Sequence, residues 1–154
     1  MNFIARMLAC GLGSGLTGWM PGSCGSVAAG LLLYFLKSNT SSSLALDLIM
    51  VASVTAIGLW AISRALRNSP SDHDPGWIVI DEWAGMAVAT IGIAHTPLLY
   101  LLAFALFRIF DITKPGPIGK LELLPGAWGV MLDDLAAGLF ARLVLFGLIW
   151  ALGL

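Results

Sequence analysis

The chain alternates long apolar runs with short polar connections. A helix needs ~20 predominantly apolar residues to cross ~30 Å of hydrocarbon. Residues 44–62 meet that length, with Asp47 near the start, and residues 135–154 meet it with Arg142 as an interruption. Residues 27–36 are apolar but short, so their span must borrow from the glycine-rich stretch before it or enter at a shallow angle. The stretch 77–110 is too long for one crossing, and "AHTP" at 94–97 divides it. Pro97 lacks an amide donor and disfavours helix at the residue before it. The pattern therefore predicts a hairpin of two helices, about 78–94 and 97–111, with polar connections at 37–43, 64–76, 95–96 and 112–133. The predicted fold is all-α: a polytopic membrane helical bundle of about five hydrophobic segments, one membrane-embedded domain over 1–154.

Composition strengthens this. Of 154 residues, 58% are hydrophobic and 11% charged, against roughly 25% charged in ordinary soluble domains. Mean hydropathy is +0.91. A soluble fold of this size cannot hide so much apolar surface. A net charge of −1 offers no basic field for nucleic acid. Cys10 and Cys24 suggest no disulfide framework and read as small buried hydrophobes. The start, "MNFIARMLACGLGSG", meets glycines before a long apolar core forms, so the first span is expected to stay attached.

Charge sets the orientation. With the N-terminus in the cytoplasm, Arg6, Arg64, Arg67, Lys114 and Lys120 lie inside, and Lys37 falls outside. Eight of the nine acids, all but Asp47, then share the cytoplasmic face. The expected site is a polar cluster at the cytoplasmic rim.

Four segments supply that cluster. "GLGSGLTGWMPGSCGSVAAG" at 11–30 is glycine-rich and opens an apolar run. Glycines let amides approach an anion closely, and a helix start adds its positive end. Ser23 or Ser26 could cap that helix or donate to a phosphate. The Lys-Ser/Thr pair of a Walker loop is missing, and close helix packing is the plain alternative. In "DHDPGWIVIDEWAGM", Asp81 and Glu82 stand in an apolar run, where ionised acids cost several kcal/mol unless paired or bound to a cation. Gly85 follows on the same face, leaving room for a helix or a ligand. "DHD" resembles an aspartyl-phosphate motif, but the buried strand that motif requires is absent. In "FRIFDITKPGP", Arg108 and Asp111 share a helix face and Lys114 follows by three, a pattern suited to clamping phosphate and metal. A positive-inside anchor is the alternative. In "GAWGVMLDDLAAGLFAR", Asp133 and Asp134 open the last predicted helix and Gly138 follows. Capping explains one Asp better than two. Arg142, two turns deeper, is assigned a structural role. Carboxylates from three helices on one face suit Mg²⁺, a hard cation that takes oxygen ligands. With His73 and His95 as the only histidines, zinc is disfavoured.

"GLGSGL…PGSCGS", "HDPGWIVIDEWAGM", "FRIFDITKPGPI" and "GAWGVMLDDLAAG" resemble, in order and spacing, the motifs of the phosphatidylglycerophosphatase A family. The resemblance runs from about residue 8 to 138. It implies a Mg²⁺-dependent phosphatase of the bacterial inner membrane, multi-pass, facing the cytoplasm. Its substrate would be a phospholipid in the bilayer, with the terminal phosphate of phosphatidylglycerophosphate removed to leave phosphatidylglycerol. The implied catalytic acids are Asp81, Glu82, Asp111, Asp133 and Asp134. The implied metal ligands are Asp81, Glu82, Asp111, Asp134 and Asp74. Arg108 and Lys114 would bind phosphate, with Gly22, Ser23 and Ser26 contributing from the loop. After "KPGPI" the family pattern has a basic residue and an Asp-Arg pair. Here the stretch is "GKLELLPG", with Lys120 and Glu122 instead.

Metal-assisted hydrolysis of a phosphomonoester fits these residues, by attack of water or of a carboxylate. Cysteine-phosphatase chemistry does not, because the fifth-plus-one position after Cys24 is Gly30 and after Cys10 is Leu16 rather than Arg. The rivals are a Mg²⁺-dependent lipid-headgroup phosphotransferase and a non-catalytic cation-conducting membrane module. The phosphotransferase would draw its acids from one extended Asp-rich motif, and the carrier would line a path at mid-bilayer.

Overall fold

The computed structural model describes residues 3–38, 43–67 and 75–153, and every regular element among them is helical. The helices are α1 (Phe3–Ala9), α2 (Pro21–Ser38), α3 (Leu44–Leu66), α4 (Ile80–Ala89), α5 (Pro97–Thr113), α6 (Pro117–Leu121) and α7 (Ala127–Leu152). A 3-10 segment, Gly11–Leu16, joins α1 to α2.

The short helix α4 is the axis of the fold. It packs against α2, α3, α5 and α7. All its residues except Trp83 are buried. Its sequence, "IDEWAGMAVA", is rich in small side chains that let four neighbours approach. On one side Met86, Tyr100, Phe107 and Leu145 join a core between α2, α4, α5 and α7. On the other, Ile62, Ile80 and Met131 join α3, α4 and α7, with Ala9 of α1 against Ala61 and Ala65. The outer faces carry the reverse pattern: Leu31 and Phe35 of α2, Ile49 of α3, Leu101 of α5, and Leu143 and Phe146 of α7 are all exposed. Apolar residues outside as well as inside fit a protein whose surroundings are lipid.

The structure corrects several boundaries. The first apolar run does borrow from the glycine stretch, because α2 begins at Pro21, where a proline is tolerated in the first turn. The helix expected over 78–94 stops at Ala89. Thr90 turns out of helical geometry and its hydroxyl donates to Met86 O at 3.0 Å, and Gly92 adopts φ +61°. The freed backbone groups find partners inside the protein. Lys37 Nζ donates to Thr90 O (2.9 Å), Arg142 Nε donates to Ile91 O, and the Gly92 amide donates to Asp47 Oδ2 (2.7 Å). Lys37 and Asp47 are themselves paired at 2.7 Å, both nearly buried. Irregular backbone within a bilayer is tolerated only when buried in protein in this way. Arg142 thus has the structural role expected of it.

The last helix begins at Ala127 rather than near 135, so Asp133 and Asp134 lie in its second turn and cannot be caps. Helix α6 lies within the 112–133 segment expected as a polar connection, and α1 precedes the first predicted span. Among the described residues, two helices are long and apolar enough to cross a membrane, α3 and α7, rather than five segments. Helix α4 has 10 residues, α5 has 17, and the first turns of α2 are glycine and serine, which explains the difference.

Candidate active site

The site is built by a backbone contact between α4 and α7. A Cβ placed on Gly138 would lie 2.2 Å from Gly85 O, and one placed on Gly85 would lie 2.7 Å from Asp134 O. Only two glycines let the helices approach so closely. Four residues before each glycine, one turn along the same face, stand Asp81 and Asp134. The close crossing therefore sets Asp81, its neighbour Glu82 and Asp134 together, with one carboxylate oxygen from each within 4.8 Å of the others. The three are 6%, 9% and 4% exposed. Glu82 Oε2 and Asp134 Oδ2 are buried and accept no hydrogen bond from any described residue. Like charges at this spacing and burial require a compensating positive group.

Part of it comes from α5. Arg108 Nη1 bonds to Asp111 Oδ2 at 2.5 Å, stands 3.8 Å from Glu82 Oε1, and reaches Ser26 Oγ at 3.5 Å. Ser26 in turn donates to Gly22 O at 2.8 Å. Gly22 sits so near that a Cβ there would lie 2.2 Å from Glu82 Oε1. The first turn of α2 therefore forms a wall of the site, and its Gly22 and Ser23 amides, having no intrahelical acceptor, face an anion-favouring end of the helix.

Lys114 is the other cation. It follows α5 in the left-handed conformation, φ 41°, and its amide bonds back to Phe110 O. This sharp exit turns its side chain toward α7, where Nζ bonds Asp133 Oδ2 at 2.7 Å and Glu122 Oε1 at 2.8 Å. Partial burial alone would lower its pKa. The hydrogen bonds to Asp133 and Glu122, with their charges, outweigh that and hold the ammonium above the ordinary lysine range. Glu122, the departure from the family pattern, is thus a partner of a site lysine.

These groups line one cavity of about 310 Å³, which Asp81, Glu82, Arg108, Asp111, Lys114, Asp133 and Asp134 share with Gly22 and Ser23. Of the residues expected from sequence, Asp74 lies outside the described residues. Ser26 touches the site through Arg108 rather than lining the cavity. Asp111 and Asp133 each bond a cation and border the group of three acids, Asp111 beside the Asp134 carboxylate and Asp133 accepting the Asp134 amide. Sequence reasoning missed Met20, Pro21, Gly76 and Ile78, which complete the lining. Pro21 was legible as a helix-opening proline. Three other glycines of that segment serve packing: Cβ atoms on Gly11, Gly15 and Gly25 would each meet the Val79 side chain within 3.0 Å. Val79 leads into α4, and its amide bonds Ala9 O at 2.9 Å.

Two long apolar helices and exposed apolar faces around a bundle with buried acids define a class, the membrane-associated helical proteins. Comparison with known proteins identifies the group within it. Residues 7–149 match the family model for phosphatidylglycerophosphatase A, and the chain belongs to that family. A Haemophilus influenzae phosphatidylglycerophosphatase A is 36% identical over 93% of this chain and 87% of its own length. The Escherichia coli phosphatidylglycerophosphatase A is 33% identical over 97% and 87%. A Bacteroides thetaiotaomicron protein, provisionally named a phosphatidylinositol-3-phosphatase, is 33% identical over 99% and 98%. No solved structure matches.

Proposed function

We propose that the protein hydrolyses the terminal phosphomonoester of phosphatidylglycerophosphate, releasing phosphate and phosphatidylglycerol, with Mg²⁺ held by Asp81, Glu82 and Asp134. The observation that carries the metal assignment is the buried trio of carboxylates, two of them with unpartnered oxygens, beside a cavity containing Arg108. An all-oxygen donor set fits a hard cation that shares its remaining positions with phosphate and water. When bound, Mg²⁺ supplies charge neutralisation at the phosphoryl group.

The chain's own residues do the rest. Arg108 stabilises charge on the phosphoryl oxygens, and Asp111 fixes its guanidinium plane. The first-turn amides of α2 receive another phosphoryl oxygen. Lys114, held by Asp133 and Glu122, adds positive charge at the rim. Water adds to phosphorus as the bond from phosphorus to the lipid oxygen breaks; a carboxylate of the cluster takes a proton from the attacking water and returns it to the leaving alkoxide, which departs as the alcohol.

In this reading α2, α3, α5 and α7 cross the membrane as single helices, and α4 with its trailing turn makes the remaining crossing inside the bundle. Helices of 18 and 17 residues, α2 and α5, reach about 27 and 25 Å, close to the hydrocarbon thickness. The site faces the cytoplasm of a bacterial inner membrane, as the Lys and Arg distribution favours.

Purified protein in mixed micelles should release inorganic phosphate from phosphatidylglycerophosphate with Mg²⁺ and not with EDTA. Asp81→Asn and Asp134→Asn should each lower turnover at least ~100-fold, more than losses typical of groups that only support a ligand. Phosphatidylinositol 3-phosphate serves as the competing substrate, given the Bacteroides relative's name. Faster release from it would reassign the headgroup. Full activity in EDTA would overturn the metal assignment.

A further inference from the structure

A second cavity, about 330 Å³ and almost wholly apolar, opens between α2 and α5. Its position follows from the same two helix faces that build the site. On α2, Ser23 lines the active-site cavity and Ser26 bonds Arg108. Along the same stripe, Val27, Leu31 and Phe35 then line the groove. On α5, Asp111 and Arg108 line the site, and Phe104, Leu101 and Pro97 continue that stripe down the groove. Each helix face is therefore polar for one turn at the site and apolar beyond it. The groove starts one turn below the residues that meet phosphate.

Its length is informative. Ser26 to Phe35 is nine residues of helix, about 13 Å, close to the ~15 Å that half a bilayer's hydrocarbon occupies. Gly30 lines the groove without a side chain to fill it. Leu31, Phe35 and Leu101 are well exposed, so the groove opens sideways toward lipid rather than into the bundle.

We infer that the α2–α5 groove seats one acyl chain of the phospholipid whose phosphate enters the cavity above it, so that the enzyme recognises tail and headgroup along one continuous track. This rests on the lipid-phosphatase reading. A tail held in the groove fixes how far the phosphate can rise, and so sets it at the depth of Arg108. Binding energy remote from the reacting centre is then used for positioning.

Two measurements test this. The first compares kcat/KM for a long-chain phosphatidylglycerophosphate with that for its deacylated, water-soluble counterpart, which keeps the terminal phosphomonoester. Leu101→Trp fills the groove from an exposed position, so the core need not repack. It should lower the long-chain to headgroup ratio ~10-fold, the scale of a hydrophobic pocket's discrimination. Leu143→Trp, on the lipid face of α7 away from the groove, should leave the ratio unchanged. A ratio unaltered by Leu101→Trp, or altered equally by both variants, would overturn the proposal. The second measurement does not depend on turnover. Phosphatidylglycerophosphate with a diazirine midway along one chain should crosslink to residues 27–35 and 97–104, and Leu101→Trp should suppress the adduct. Adducts spread over α3 and α7 without that preference would sink the groove. Absent phosphate release from wild-type protein, with the crosslink intact, would instead refute the catalytic reading.

Discussion

Gly22 shows how much a missing methyl group can matter. A Cβ at this position would lie 2.2 Å from Glu82 Oε1 and 3.3 Å from Arg108 Nη1. Gly22→Ala must therefore push the acid, the guanidinium or the helix start aside. A displacement of about 1 Å at a reacting group costs on the order of 100-fold. Gly22→Ala should lose about that much kcat/KM while the purified protein keeps its thermal midpoint in detergent. Lys114 gives a prediction about pH. Its ammonium is held above the ordinary lysine value, near 10.4 unfolded. A raised folded pKa means its stabilising contribution is complete below the unfolded value and is lost only as pH rises through the folded one. The stability difference between wild type and Lys114→Met should then be flat from pH 6 to 9 in chemical denaturation. A difference that shrinks across that window would show that the pair to Asp133 and Glu122 is not made. Residue identity made the acids, Arg108 and Lys114 legible in the sequence, because charges in an apolar chain stand out. Their division of labour was not legible. Which acids bond a cation and which stay clustered depends on the left-handed exit at Lys114 and on the α4–α7 crossing, neither of which spacing reveals.

At the scale of elements, the two ends of α4 are held by opposite means. Its first turn carries Asp81 and Glu82, where acids suit the positive end of the dipole. Past its last turn, Lys37 and Arg142 take the carbonyls of Thr90 and Ile91. Asp47 completes that arrangement by accepting from Lys37 and from the Gly92 amide. Asp47→Asn weakens a nearly buried ion pair, a loss of about 3 kcal/mol or more. It should lower the thermal midpoint markedly and reduce activity, although the residue lies at the opposite end of α4 from the acids. Equal stability of the variant would mean that α4 is not anchored there. Gly138→Ala tests the other contact, since its Cβ would meet Gly85 O at 2.2 Å. Overpacking of this kind costs about 1–3 kcal/mol, and activity should fall with stability. The long helices and the break at Pro97 were legible from run length and proline. The early end of α4 was not, because residues 90–94 are as apolar as the helix before them. What ends the helix is a set of partners from α2, α3 and α7, visible only once the chain is folded.

Over the whole molecule, the apolar exterior and the one-sided gathering of acids imply a fixed orientation. Ser38 and Lys120 are both exposed, the first at the end of α2 and the second on α6 near the site. With Cys10 and Cys24 replaced by serine, Ser38→Cys should react with an impermeant maleimide only from outside intact cells. Lys120→Cys should react only after the membrane is opened. The reverse pattern would invert the topology. The α4–α7 contact has a mechanical consequence as well. Membranes differ in thickness, and helices answer by tilting. Asp81 and Asp134 lie four residues, about 6 Å, from the point where Gly85 and Gly138 touch. A tilt of about 10° about that point moves them about 1 Å, while the end of α7, about 21 Å away, swings about 4 Å. The glycine pair is a fulcrum, and the acids ride on its short arm. A bilayer that thins or thickens therefore moves the outer end of α7 several times farther than it moves the carboxylates.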